Sequence, residues 1–275
     1  MRPLRSILVF LLCVSLVIGL LFWNNCVIQA ETVEISLQDL PTSFDNLRIA
    51  VLADLHGREF EEDNSYLLTS VRELDPDIIC ICGDLFDEPS DLAMLEPLIS
   101  GLSGIAPTFY VTGNHEWQLK NLQNILLDLE HYGATVLQNE YVVLESNGEK
   151  IVLAGVNDPC GPYDQKTPEE LVKEIRQNEG ENAFILMLSH RNDQMAMWAD
   201  LDVDFVISGH CHGGVVRLPI VGGVFGTNRE LFPAYDAGLY SQGKTNLFVS
   251  RGLGYTNVRL RLFNRPHLPL LILHS

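Results

Sequence analysis

Six short apolar runs, at residues 47–53, 77–82, 108–111, 151–155, 184–188 and 205–208, constrain the fold more than anything else in the chain. They are rich in β-branched residues and nearly continuous in apolar character. A strand with one wet face alternates apolar and polar residues; these runs do not, so they read as strands covered on both faces. Helical stretches separate them, at residues 67–74 and 91–102 among others. Residues 117–132 place Leu119, Leu122, Ile125, Leu126 and Leu129 on one helical stripe. Thr167-Pro168-Glu169-Glu170 opens another helix with an N-cap, a first-turn proline and a capping-box glutamate. The order is that of an α/β protein. After Gly213, glycine and proline punctuate short strands at 238–240, 246–249 and 268–273, read as a second sheet and not as a separate domain.

The first residues read differently. Arg2 and Arg5 form a positive leader, and residues 7–23 are apolar except for Ser15 and Gly19. At about 1.5 Å per residue this run reaches roughly 26 Å, enough for a thin bilayer. It is long for the apolar region of a cleaved signal, and Ile28 is a poor small-residue position before Ala30. Residues 1–30 therefore read as a signal anchor in preference to a signal peptide. The positive leader stays inside, which places the remainder outside the cytoplasm, membrane-anchored or exported. Residues 31–46 read as a linker with a short strand at 33–37, and residues 47–275 as the main domain.

Beyond residue 30 the chain carries 16 basic and 36 acidic side chains, a net −20. Such a surface repels nucleic-acid backbones and argues against a nuclease or a nucleic-acid-binding module. The cysteines spell no disulfide framework. Cys80 and Cys82 are two apart in a strand and read as small buried hydrophobes, and this usage is unusual for an oxidising exterior.

Polar, chemically capable residues follow the apolar runs: Asp54-Leu55-His56, Gly83-Asp84, Gly113-Asn114-His115-Glu116, His190, and Gly209-His210-Cys211-His212-Gly213. Open α/β folds place their sites at the carboxyl ends of strands. Two residues apart in extended backbone, Asp54 and His56 face the same way, as do His210 and His212. Taken singly, each group has an ordinary reading: a turn pair for Asp54 and His56, a helix cap for Asp84, a left-handed turn residue for Asn114, a structural histidine for His190. Seven N/O donors at five strand ends are hard to explain as separate accidents. Imidazole, carboxylate and amide together suit Mn, Fe, Zn, Co or Ni, not soft copper or an iron–sulfur cluster. Cys211, between the two histidines, points away and is left out.

These blocks resemble the calcineurin-like metallophosphoesterases, whose pattern is D-x-H, G-D, G-N-H-D/E, a lone H and G-H-x-H, in this order. The tail from Gly213-Gly214 to Val249-Ser250-Arg251-Gly252-Leu253-Gly254 resembles a small membrane-linked or exported branch, similar to UDP-2,3-diacylglucosamine hydrolase-like enzymes. The resemblance implies a four-layer α/β/β/α sandwich of two mixed sheets, metallo-dependent phosphatase-like, behind one N-terminal hydrophobic helix. It implies two divalent metal ions: Asp54, His56 and His212 on the first, Asn114, His190 and His210 on the second, Asp84 bridging. His115 would lie near the leaving group with Glu116 orienting it, and Asp87 would stand behind the ligands. Cys80, Cys82, Cys211, Arg191 and Asn192 depart from common choices without removing a ligand.

The expected activity is hydrolysis of a phosphodiester or pyrophosphate, lipid- or nucleotide-linked, by a hydroxide bridging two metals about 3.5 Å apart. The alternatives are a phosphomonoesterase acting on small soluble substrates and a catalytically silent metal-binding scaffold. The loops at 58–64 and 222–233 are expected to border the site.

Overall fold

Alternate residues of each apolar run go to different cores, and this builds the layers. A computed structural model describes residues 2–227, 229–255 and 260–275, so Met1 of the leader and Asn228 of the 222–233 loop lie outside the described residues. The chain begins with α1 (Arg2–Cys26), β1 (Gln29–Ser36), β2 (Leu47–Leu52), α2 (Ser65–Glu73), β3 (Ile78–Cys82), α3 (Leu95–Ser103) and β4 (Thr108–Val111). It continues with α4 (Leu122–His131), β5 (Ala134–Val136), β6 (Glu140–Ser146), β7 (Glu149–Gly155), α5 (Pro168–Glu179), β8 (Ile185–Leu188), α6 (Met195–Asp200) and β9 (Phe205–Ser208). The last elements are β10 (Arg217–Leu218), β11 (Gly222–Gly223), β12 (Gly238–Gln242), β13 (Thr245–Val249) and β14 (His267–His274).

One sheet runs β1-β14-β2-β3-β4-β5 and the other β12-β13-β9-β8-β7-β6. Ala50 and Leu52 of β2 face a core with Leu67 of α2, Leu98 of α3 and Leu126 of α4. Their neighbours Ile49 and Val51 face the other way, onto Leu153, Leu186, Phe205 and Ile207 of the second sheet. The far face of that sheet packs Val152, Ile185 and Val206 against Leu171 of α5 and Trp198 of α6. The result is helix, sheet, sheet, helix. Cys80 and Cys82 lie buried between the sheets and Cys211 under α6, all free, with burial pushing their thiols upward in pKa.

Two sequence expectations change. Residues 31–46 are not a linker: β1 pairs parallel with β14 from Gln29↔His267 to Ser36↔His274, three residues after α1 ends. The run at 268–273 does not join the second sheet; as β14 it inserts into the first, antiparallel to β2.

A triad around buried His267 ties β1 to β14. His267 Nε2–H donates to Glu31 Oε2 at 3.1 Å, and His267 Nδ1 accepts the Arg251 backbone N–H at 3.2 Å. Arg251 also reaches Glu31 at 3.3 Å. Both imidazole nitrogens are thus committed in the neutral form. Burial pushes His267 down to about 4, and the nearby Arg251 charge adds to this. The hydrogen bond from His267 outweighs burial and lowers Glu31 to about 2.

Below pH 6.5 the unfolded chain takes up a proton that folded His267 refuses until about 4, so the folded state loses stability as pH falls through that window. The Glu31 contribution is present above 4.5 and is lost as pH falls through about 2. We expect His267→Gln to be less stable at neutral pH. Its melting temperature should fall less steeply than that of the parent between pH 6.5 and 4, as read by thermal unfolding.

Candidate metal centre

The two sheets bring their strand ends together on one side of the inter-sheet core. Asp54 and His56 follow β2, Asp84 follows β3, Asn114 follows β4, His190 follows β8, and His210 and His212 follow β9. Donor atoms of Asp54, His56 and His212 lie within 4.8 Å of one another, and so do those of Asp84, His190 and His210. Residues that singly had ordinary readings therefore form two adjoining clusters.

The backbone that presents them is not extended. Asp54, His56 and Asp84 each have φ near 51°, His210 has 68° and His212 has 50°. The pairs two apart face a common point through left-handed kinks, not through strand alternation. Such conformations cost on the order of 1–3 kcal/mol each and persist only where neighbours over-determine them. Here the neighbours are cross-loop hydrogen bonds: Asp54 N–H to Gly83 O, His56 N–H to Asp84 O, and His210 N–H to Asp54 Oδ1. Gly83, at φ +80°, and Gly113 stand back to back, where any Cβ would run into the opposing backbone.

His56 and His190 are each aimed by the outer nitrogen. His56 Nδ1–H donates to Asp87 Oδ1 at 2.6 Å, leaving a lone pair on Nε2. His190 Nδ1–H donates to the Cys82 carbonyl at 2.8 Å, leaving its Nε2 lone pair inward. Asp84 Oδ2 lies 3.6 Å from His56 Nε2 and 3.2 Å from His190 Nε2, between the two clusters. His56 Nε2 also faces His212 Nε2 at 3.0 Å, and His190 Nε2 faces both His210 Nδ1 at 3.0 Å and Asn114 Oδ1 at 3.2 Å. Buried Asp54 Oδ2 and His212 Nδ1 have no hydrogen-bond partner. Inward lone pairs facing one another, with an unpartnered carboxylate oxygen among them, are the arrangement that divalent cations satisfy.

The local field also calls for positive charge. Burial raises Asp54. Burial acts upward on Asp84 too, but His190, by charge and hydrogen bond, with His56 and His115, holds it well below its usual range. Against burial, Asp84 lifts His190 to about 10, so a proton and a cation compete for the inward Nε2. Burial, with the charges of His190 and Arg191, drops His210 to about 3, and burial with the charge of His56 drops His212 far down. The last two are thus neutral imidazoles, the form a metal takes.

His115 stands at the rim, its side chain one-third exposed, with Nδ1 3.0 Å from Asp87 Oδ1. Asp87 therefore orients both His115 and His56. The expectation that Glu116 does so is corrected. The Glu116 carboxylate is fully buried and accepts backbone N–H groups of Asp84 at 3.0 Å, Leu85 at 2.5 Å and Gly113 at 2.8 Å. It pins the loop after β3 to the loop after β4.

One group was missed in the sequence. Asp158, after β7, holds Arg191 in a two-pronged pair, Nε to Oδ2 at 2.6 Å and Nη2 to Oδ1 at 3.1 Å. This leaves Arg191 Nη1 to donate to His210 Nε2 at 2.9 Å. The strand-end rule that found the other ligands also points to Asn157-Asp158, but a D without a motif partner gave no further signal. A cavity of about 210 Å³, lined by Asn139, Asn157, Tyr163 and Gln165 among others, opens beside this pair. Of the loops expected to border the site, Arg58 lies two residues beyond His56, and the 222–233 stretch joins the end of the His212 loop through Phe225 N–H donating to Gly214 O and the close approach of Gly223 to Gly214.

The profile described as calcineurin-like phosphoesterase matches residues 47–214. The chain is 28% identical over 255 residues to the metallophosphoesterase YkuE of Bacillus subtilis, covering 89% of this chain and 86% of that one. It is 31% identical over 230 residues to the phosphodiesterase YaeI of Escherichia coli, covering 82% and 81%. It is 30% identical to a transmembrane protein with metallophosphoesterase domain from Bos taurus, covering 89% of this chain and 56% of that one.

Because three buried N–H groups depend on Glu116, Glu116→Ala should lower unfolding stability by about 3 kcal/mol, read by urea denaturation. A loss within the scatter of surface substitutions would show that the loops hold their register without it.

Proposed function

The chain belongs to the calcineurin-like phosphoesterases, a metal-dependent hydrolase family, and on that premise we propose that it hydrolyses a phosphodiester or pyrophosphate at two divalent cations. Asp54, His56 and His212 would hold one, Asn114, His190 and His210 the other, with Asp84 shared. The observation that carries this reading is Asp84 Oδ2 set between the inward Nε2 atoms of His56 and His190. Divalent cations bound there would supply Lewis acidity for activating a water near neutral pH and for neutralising phosphate charge.

The chain's own residues do the rest. His115, aimed by Asp87, donates a proton or hydrogen bond to the departing oxygen from the open rim of the site. With His210 Nδ1 as the ligand atom, its Nε2 carries a proton and no longer accepts from Arg191. Two N–H groups cannot share that contact, so Arg191 Nη1 is available to a phosphate oxygen while Asp158 keeps the rest of the fork in place. A monoester has one more charged oxygen for this arm, which is the specific support for the phosphomonoester alternative.

Residues 7–23 of α1 are apolar except for Ser15 and Gly19 and lie exposed outside the domain, and burial begins only at Asn24. We read it as a membrane anchor, with the catalytic domain outside the cytoplasm because Arg2 and Arg5 stay inside.

The test is metal content of the detergent-purified full chain, together with turnover of bis-p-nitrophenyl phosphate and p-nitrophenyl phosphate with Mn²⁺ or Zn²⁺. We expect about two ions per chain and preferred hydrolysis of the diester. Metal without turnover of either ester would sink the enzyme reading in favour of a silent scaffold. His115→Ala should keep its metal and lose about 10²–10⁴-fold in kcat. Arg191→Met should keep its metal and bind inorganic phosphate about tenfold more weakly, the scale of one charge-assisted hydrogen bond. Phosphate affinity unchanged by that substitution would remove Arg191 from the substrate contacts.

A further inference from the structure

The position of α1 relative to the metal centre follows from strand direction. β14 is antiparallel to β2, and β1 is parallel to β14. The start of β1 therefore lies at the carboxyl end of β2, where Asp54 and His56 stand. The link is close: Gln29 is in register with His267, His267 N–H donates to Gly252 O, and Gly252 lies against the Asp54 side chain. The anchoring helix leaves the domain at the same end as the site.

That exit is fastened. Asn25 exchanges hydrogen bonds with Arg261, its Nδ2 to Arg261 O at 3.1 Å and its Oδ1 from Arg261 N–H at 2.7 Å. Arg58 donates to Asn25 O. Arg265 donates to Val27 O and Ile28 O, and its guanidinium lies 4.3 Å from the centre of the Trp23 ring. The helix end and the site loops are one piece.

An apolar surface extends from this junction. Ile220 is 108% exposed, and Val221, Phe225, Leu231, Phe232 and Phe263 are each more than half exposed. Outside α1, most of the exposed large apolar side chains fall between residues 218 and 263. Local pairing gathers them. β10 and β11 put Ile220 and Val221 at a hairpin tip, Phe225 bridges Leu231, and Val216 bridges Leu262 beside Phe263. Asn264 joins the patch to the site by donating to His212 O at 2.7 Å. Ile220 holds φ at 73°, a left-handed value that a β-branched residue adopts at a cost and that glycine or asparagine would hold freely. The side chain is kept there in spite of the backbone.

The charge is complementary to an anionic surface. In a chain of net −18, part-exposed Arg58 and Arg265 donate to backbone carbonyls at this end, with no carboxylate among their described hydrogen-bond partners, Arg229 is exposed in the same stretch, and Arg261 is buried beneath them.

We propose that the loop residues 215–227, 229–232 and 260–265 form a lipid-contacting surface. It seats the metal-site end of the domain on the bilayer that α1 enters, so that the substrate's phosphate is one carried at headgroup level. The surface rests on reading α1 as an anchor, and the substrate class rests in addition on the phosphoesterase reading. Apolar tips enter the headgroup–acyl boundary while arginines pair with anionic headgroups. Continuity with α1 selects a bilayer over other occupants for an apolar patch of this size.

The test uses the full chain reconstituted in phosphatidylcholine–phosphatidylglycerol vesicles, with and without brominated acyl chains. Ile220→Trp should add fluorescence that the bromolipids quench. Leu127→Trp, exposed on α4 at the opposite, β5 edge of the sheet, should add fluorescence that they spare. No quenching at residue 220 overturns the surface, as does a patch substitution that merely splits a dimer in detergent. The double variant Ile220→Glu, Val221→Glu should lose about tenfold in hydrolysis of vesicle-borne phosphatidyl-p-nitrophenol while keeping turnover of soluble bis-p-nitrophenyl phosphate. Equal loss on both esters, or on neither, overturns the substrate assignment. If the parent hydrolyses neither ester, the phosphoesterase reading has failed, and the quenching arm still decides the surface.

Discussion

The structure depends on one buried carboxylate placed between imidazoles. Asp84 divides its oxygens: Oδ1 accepts the His115 backbone N–H at 2.9 Å, and Oδ2 lies between His56 and His190. A charge this deep is tolerated only with partners on every side. Its neighbours have outer nitrogens already committed, His56 to Asp87 and His190 to the Cys82 carbonyl. Their remaining lone pairs therefore converge on the same space as the carboxylates. A purely structural cluster would alternate donors and acceptors. This one collects acceptors, and a cation resolves it.

Holding acceptors together requires a scaffold that cannot relax. The continuous apolar runs provide it, because the ligand-bearing strands β2, β3, β4, β8 and β9 are packed on both faces and their ends have no freedom to tilt. Glu116 then locks the loops after β3 and β4 through three backbone N–H groups, at the point where Gly83 and Gly113 pass too closely for a side chain. The left-handed kinks at five ligands are the strain that this packing sustains. Core, loop lock and site are successive consequences of burying β2, β3 and β4 completely.

How much of this was legible in the sequence follows from what is local. The six apolar runs and the ligand blocks at their ends are local patterns, and each ligand block falls in the centre. The same-side placement of Asp54 and His56 was legible, but its cause was not: strand alternation predicts it, whereas φ near 51° at both residues produces it. β6 carries intermediate burial along nearly its whole length, and α6 spans only 6 residues, so neither showed a clear period. The destination of β14 could not be read, because an apolar run does not say which of two sheets will take it. The partners of Glu116 are backbone amides, which no side-chain motif encodes. Asp158 and Arg191 are 33 residues apart and meet only because β7 and β8 are neighbours.

Misreading residues 31–46 as a linker would also misread what the enzyme can reach. A flexible segment of that length would let the domain sample substrates well away from the bilayer. In the structure only Val27 and Ile28 separate α1 from β1, and Ile28 is buried in the core under α2 and α3. There is no slack at that joint. Arg58 and Arg265 close it further by donating to the carbonyls of Asn25, Val27 and Ile28, and Arg261 N–H donates to Asn25 Oδ1. The helix exit and the metal ligands lie at the same end of the first sheet. The net negative charge of the whole chain is then a poor guide to the charge near the site, because Arg58 and Arg265 gather at the end that carries the metal ligands.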